Sequence, residues 1–174
     1  RCVINENNRT FVRSDMGTGK THGMADAITD AMPHGVVIVV THLTSLVKGN
    51  EERLTLLLKM RGESARIAHY SDDNAVDVAD AQLILTTLHS LHSVIERIGG
   101  ASRVSLVMFD ESESVAQIMT ADIMDKSRER VANALDELSV SGCKVVMLDA
   151  HLGTSTYAFC NAYLSGDWVM LDNK

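Results

Sequence analysis

The amino-acid sequence predicts an α/β domain in which a mainly parallel sheet is flanked by helices. Three features point there. The runs Val36 to Val40, Leu83 to Leu85, Val104 to Phe109 and Val145 to Leu148 are rich in Val, Ile and Leu and scarcely alternate with polar residues. That is the pattern of strands covered on both faces. Amphipathic stretches of helical period lie between these runs, and strands alternating with helices favour parallel pairing. Finally, the glycine-containing segment SDMGTGKT, Ser14 to Thr21, sits where the first strand gives way to the first helix.

In chain order, a first strand is expected over Thr10 to Arg13 and a helix over Thr21 to Met32, with Ala25, Ile28, Ala31 and Met32 on one side. Pro33 and Gly35 stop it before the strand at Val36. Leu43 to Met60 reads as a long helical stretch that Gly49 and Asn50 are placed to divide. Arg66 to Tyr70 is a weaker strand candidate. The strand at Leu83 leads to a helix over Leu88 to Ile98, ended by Gly99 and Gly100. After the strand at Val104, a helix over Ala121 to Leu138 places Met124, Val131, Leu135 and Leu138 on one stripe and turns Arg128, Glu129 and Arg130 outward. The strand at Val145 is followed by a helix over Thr154 to Leu164, closing at Gly166, and by a weaker strand candidate, Trp168 to Leu171.

A chain of 174 residues suits a single domain spanning 1–174 with one sizeable core. Apolar residues at 45% and charged residues at 22% exclude a disordered chain. No apolar run approaches the roughly 20 residues needed to cross a bilayer, and no secretory signal is present, so a cytoplasmic setting without a membrane partner is expected. The chain begins at Arg1 rather than Met, which leaves room for an upstream segment. Cys2, Cys143 and Cys160 are far apart and form no CxxC pair, so neither a zinc knuckle nor a disulfide framework is indicated. His89 and His92 share a helical face by spacing but lack a neighbouring carboxylate or cysteine to complete a metal site. The net charge of −7 excludes a basic nucleic-acid-coating protein, though not one that grips nucleic acid through a local groove.

The segment SDMGTGKT fits the phosphate-binding pattern GxxxxGK[ST], with Ser14 in place of the first glycine. The candidate phosphate-binding residues are Ser14, Asp15, Met16, Gly17, Thr18, Gly19, Lys20 and Thr21. Small residues let successive backbone N–H groups turn around an anion, and the helix that follows points its positive dipole end at it. Lys20 would supply a full charge to the β- and γ-phosphates, and Thr21 a hydroxyl to magnesium. The bland alternative is a glycine-rich turn that only caps a helix.

Residues Val104 to Glu113 read VSLVMFDESE, an apolar strand running into Asp110 and Glu111. Carboxylates at the C-terminal end of such a strand lie at the sheet edge where α/β proteins bind ligands. Asp110 could hold magnesium through water, and Glu111 could orient or deprotonate an attacking water. Alternatively, Asp110 is only a helix N-cap.

SDMGTGKT, then DESE, then LDAH at Leu148 to His151 resemble motifs I, II and III of superfamily 2 helicases. The form MGTGKT with a late DA-type third motif is similar to the replication origin-binding helicases of large DNA viruses and phages. The resemblance implies a RecA-like P-loop fold, ATP and Mg2+ as cofactors, and DNA or RNA, single-stranded or duplex and more plausibly DNA, as partner. If the protein is viral, the host cell's replication compartment is its expected location. By this resemblance Lys20 and Glu111 are catalytic, Thr21 and Asp110 hold the metal, and Asp149, Ala150 and His151 couple nucleotide state to movement. The stretches VVTHLTSL, Val39 to Leu46, and TTLHSL, Thr86 to Leu91, resemble the turns that touch the nucleic-acid backbone, which nominates Thr41, Thr44, Ser45, Thr86, Thr87 and Ser90. Hydroxyls and helix N-terminal amides are suitable uncharged phosphate donors; the alternative is that these turns only cap helices.

There are departures. Motif II reads DESE rather than DEAD or DEAH, which argues against the DEAD-box subgroup, and no glutamine-type adenine-reading motif is found in Arg1 to Thr10. The second RecA-like motor domain of the family, which supplies an arginine finger worth about 10³–10⁵ in rate, has no counterpart in these residues. The isolated domain is therefore expected to be weakly active or inactive. Rival readings are a packaging-motor ATPase or nucleotide kinase, and a non-catalytic P-loop scaffold. The intact Lys20, Thr21, Asp110 and Glu111 speak against the scaffold.

Overall fold

The computed structural model describes residues 8–15, 18–70 and 78–173. Its strands are β1 (Arg9–Ser14), β2 (Val36–Thr41), β3 (Ile67–Tyr70), β4 (Leu83–Thr87), β5 (Val104–Asp110), β6 (Lys144–Asp149) and β7 (Val169–Asn173). Its α-helices are α1 (Lys20–Ala31), α2 (Thr44–Met60), α3 (Leu91–Arg97), α4 (Ser112–Ile118), α5 (Arg128–Val140) and α6 (Thr154–Tyr163). The strands form one sheet in the order β3-β4-β2-β5-β6-β1-β7, and every pairing is parallel. All seven strands therefore end at the same edge, where a ligand would meet the turns that follow them.

Each central strand divides its side chains between two cores. Ile38, Val40, Val107, Phe109, Val145 and Met147 pack into one cluster with residues of α3, α4, α5 and α6. Val37, Val39, Leu106, Met108, Val146 and Leu148 pack into the other with residues of α1 and α2. Since both faces are covered, neither set can be polar, which explains the scarcity of alternation in the sequence.

The elements depart from the sequence reading in four places. First, α2 runs unbroken through Gly49 and Asn50; Val47, Leu54, Leu57 and Leu58 bury along it and hold it against the sheet, outweighing a local glycine penalty of about 1 kcal/mol. Second, the helix expected over Ala121 to Leu138 is a 3₁₀ turn at Asp122–Met124 and then α5 from Arg128. Arg128 is not simply turned outward, because its guanidinium donates to the carbonyls of Met119 and Ala121 and bridges the break. Third, the helix expected from Leu88 begins as a 3₁₀ turn, Leu88–Ser90, before α3. Fourth, α4 is too short for a periodic pattern to mark its extent. No described helix is long and apolar enough to cross a membrane.

Candidate active site

The first strand ends at Ser14 and α1 begins at Lys20, with Gly19 as its N-cap at φ 85°. That left-handed conformation favours glycine; the space around Gly19 is open, so the backbone angle rather than crowding selects it. No side chain caps the first turn of α1, which leaves its dipole end facing the cleft. The Ser14 and Thr18 hydroxyls lie 2.6 Å apart, and Thr18 Oγ1 donates to the Asp15 carbonyl at 2.7 Å. Asn173, at the end of β7, donates to Ser14 Oγ at 3.2 Å and to the Thr18 carbonyl at 3.1 Å. Buried Ser14 thus gives the loop an anchor that a glycine could not. Met16 and Gly17 lie outside the described residues.

Two strands away in the sheet, β5 presents Asp110. Its Oδ1 lies 2.8 Å from Lys20 Nζ, with both side chains largely shielded from solvent. Asn50 of α2 donates to Asp110 Oδ2 at 3.1 Å. Asp110 is not the helix cap that a sequence reading allows: the N-cap of α4 is Glu111, and no side-chain cap bond forms there. Glu111 has φ 54° and is the one non-glycine residue at positive φ among the described residues. Such a conformation costs roughly 1–2 kcal/mol, a strain found where surrounding structure enforces it at functional sites. The turn sends Asp110 beneath Lys20 while the half-exposed Glu111 carboxylate lies 3.3 Å from His42 Nδ1, at the end of β2.

Between β5 and β1 lies β6, which ends at Asp149. Asp149 accepts hydrogen bonds from the Glu113 amide at 2.9 Å and the His151 amide at 3.0 Å. Glu113 in turn accepts from the amides of Gly153, Ser155 and Thr156, at 3.0–3.2 Å, and from the Thr156 hydroxyl at 2.9 Å. It caps the start of α6, whose own N-cap, Gly153, has no side chain. A Cβ at Gly153 would lie 2.6 Å from the Glu113 carboxylate, which would have to shift to admit it. Motif II and motif III are therefore one hydrogen-bonded unit. The sequence reading missed Glu113, Asn50, His42 and Asn173, since each acts through a partner 36 or more residues away.

Partial burial pushes the Glu113 carboxyl up, but the hydrogen bonds from Ser155 and Thr156 outweigh it and bring the group down to about 2. A carboxyl lowered by folding stabilises the fold above its unfolded pKa and loses that contribution as pH falls toward the folded value. Glu113→Gln is therefore expected to cost about 1–2 kcal/mol at neutral pH, as for loss of a helix cap. The gap to wild type should close as pH falls from about 4.5 to about 2. Urea denaturation of both proteins across that range checks it; a gap independent of pH would refute the capping role.

Ser14, Asp15, Gly19, Lys20, Thr21, His22, Arg53, Glu111, Glu113, Ser114, Asp149, Ala150 and His151 line one cleft of about 710 Å³. A Thr hydroxyl and a carboxylate are hard oxygen donors that suit magnesium, which retains waters and recruits phosphate oxygens. Among the described residues no group of three or more His, Cys, Asp or Glu is placed to hold a metal ion. The predicted backbone-contact residues divide. Thr41, Thr86 and Ser90 are buried, and the hydroxyls of Thr41 and Thr86 donate to the Leu43 and Tyr70 carbonyls. The hydroxyls of Thr41 and Thr86 thus pin their own turns. Thr44 and Ser45 are exposed and Thr87 is half-buried.

A putative replication origin binding protein of Escherichia phage T5 is 23% identical over 152 residues, which cover 84% of this chain and 15% of the phage protein. A DEAD box protein of the hyperthermophile Methanococcus jannaschii superposes with a TM-score of 0.73 at 16% identity, over 98% of this chain and 47% of that one. The DUF1998 helicase MrfA bound to DNA gives 0.74 at 12% identity, over 97% and 26%. The chain thus spans less than half the length of each. The likeness to the two structures shows a shared RecA-like helicase fold. The sequence profile of the DEAD/DEAH box helicases matches residues 2–152. The match is to the family as a whole, and within it motif II of this chain reads DESE. The chain belongs to the DEAD/DEAH box helicase family.

Proposed function

We propose that this chain is the ATP-binding and hydrolysing motor domain of a nucleic-acid helicase or translocase, completed by a second RecA-like domain in the same protein. The observation that carries the reading is the approach of Lys20 Nζ to within 2.8 Å of Asp110 at the common edge of a parallel sheet. Lys20, Thr21 and Glu111 line one cleft, and Asp110 meets it through its contact with Lys20.

ATP lies over Ser14 to Thr21, its phosphates met by loop amides and the N-terminus of α1. Lys20 neutralises charge on the transferring phosphoryl group. Thr21 and Asp110 would hold magnesium, which would supply positive charge to offset that of the phosphates. Glu111 takes a proton from the attacking water as its oxygen bonds to the γ-phosphorus and the bond to the β-bridging oxygen breaks. Asp149, Ala150 and His151 border the cleft and are tied through Glu113 to α6, a route by which nucleotide state shifts a helix. Thr44 and Ser45, at the start of α2 with no side-chain cap, and Thr87 form the nucleic-acid contact. DNA is favoured by the phage relative, which also supports a role in replicating a viral genome.

Calorimetric titration of the full-length protein with magnesium and a non-hydrolysable ATP analogue tests this reading. Wild type is expected to bind and Lys20→Ala to bind at least about 10-fold more weakly, as befits loss of one charge-assisted contact. Absence of binding by wild type would favour the scaffold reading.

A further inference from the structure

The apolar stripe by which α2 packs runs through Val47, Leu54, Leu57 and Leu58. Asn50 stands on that stripe, three residues after Val47 and four before Leu54, where helical spacing calls for another apolar side chain. It is also a weaker helix former than Leu or Ala. Neither packing nor propensity explains it, whereas its side-chain contact does: Nδ2 donates to Asp110 Oδ2 at 3.1 Å, across 60 residues of chain, while Asp110 Oδ1 faces Lys20. Asp110 is buried at 8% exposure, so protein groups rather than bulk water set its orientation.

We propose that Asn50 is a positioning residue for the metal carboxylate, an inference that rests on the ATPase reading above. A carboxylate that serves a cation must present one oxygen lone pair in a fixed direction. An amide donor on the other oxygen does this without adding a charge that would compete with the cation. A second cationic side chain here, besides Lys20, would lower the carboxylate's affinity for the ion, and an apolar residue would leave Oδ2 without this donor. Asn is long enough to reach and neutral enough not to interfere. Because Asn50 lies on the same unbroken helix as Thr44 and Ser45, a shift of α2 on contact with a strand also moves the donor at Asp110.

The test uses the full-length protein and Mn2+ as a paramagnetic stand-in for magnesium, titrated by electron paramagnetic resonance with a non-hydrolysable ATP analogue. Asn50→Leu, with the same branching as Asn but apolar, is expected to weaken Mn2+ binding about 10-fold, the lower end for loss of an outer-shell partner. Its melting temperature without ligand should be unchanged or higher, since Leu completes the stripe. Asn50→Gln retains the amide donor and is expected to bind Mn2+ more tightly than Asn50→Leu. Wild-type affinity in Asn50→Leu, or a loss of affinity matched by a fall in melting temperature and no recovery in Asn50→Gln, would overturn the assignment. Asp110→Asn separates the two levels of argument. If it loses Mn2+ while Asn50→Leu matches wild type, only this inference fails; if wild type binds no Mn2+ with nucleotide, the ATPase reading fails with it.

Discussion

Glu111→Gln in the full-length protein is expected to lower ATP turnover by about 10²–10⁴-fold, the range for loss of a positioned general base. The amide is nearly the same size as the carboxylate, so the turn at φ 54° and the start of α4 should persist. What is lost is the ability to take a proton from water, and with it the negative partner of His42. Nucleotide affinity should hold or rise, because Lys20, Thr21 and Asp110 are untouched. Phosphate release measured beside nucleotide titration separates the two quantities. Undiminished turnover would remove Glu111 from the mechanism.

Arg9→Ala is expected to be strongly destabilising although it lies away from the cleft. Arg9 lies at the opposite end of β1 from the phosphate loop and is 6% exposed. Its guanidinium donates to the carbonyls of Cys143 at 2.6 Å, Ser139 at 2.9 Å, and Ser165 and Asn8 at 3.2 Å. It thereby ties the last turn of α5 and the turns before β6 and β7 to the first strand. Truncation leaves several carbonyls without a donor and opens a void beside Gly166, where even a Cβ would come within 3.1 Å of Arg9 Cγ. A cost of about 3 kcal/mol follows from unsatisfied buried acceptors and lost packing. For a chain of this size that lowers the melting temperature by roughly 6–12 °C. Arg9→Lys should recover only part of this, as one ammonium cannot serve carbonyls spread over a planar fork. A melting temperature equal to wild type would show the clamp to be inessential.

Both predictions concern residues that the sequence exposes unequally. Glu111 stands directly after a run of apolar residues and beside Asp110, and that local pattern, with the phosphate loop upstream, suffices to nominate it. Arg9 carries no such signal, because three of its four acceptors are backbone carbonyls of residues 130 or more positions away. Asn50 illustrates the same limit differently. Beside Gly49 it reads as a helix break, since local propensity is all a short window contains, yet packing carries the helix through. Thr41 and Thr86 show a related limit: a hydroxyl after a strand is equally suited to a phosphate or to a nearby backbone carbonyl, and only the tertiary structure shows that these two are buried and bonded to carbonyls.

By itself the sequence determined the α/β class, the phosphate loop, and the order in which the three motifs occur, because each of these is written in a contiguous stretch whose hydrophobic period and turn chemistry act locally. Only the tertiary structure decided which strands neighbour one another, that Asp110 lies under Lys20 with Asn50 behind it, and that Glu113 joins motif II to the start of α6. Those relations depend on how covered sheets and helices pack over long chain separations, where burial and hydrogen-bond satisfaction outweigh local preference.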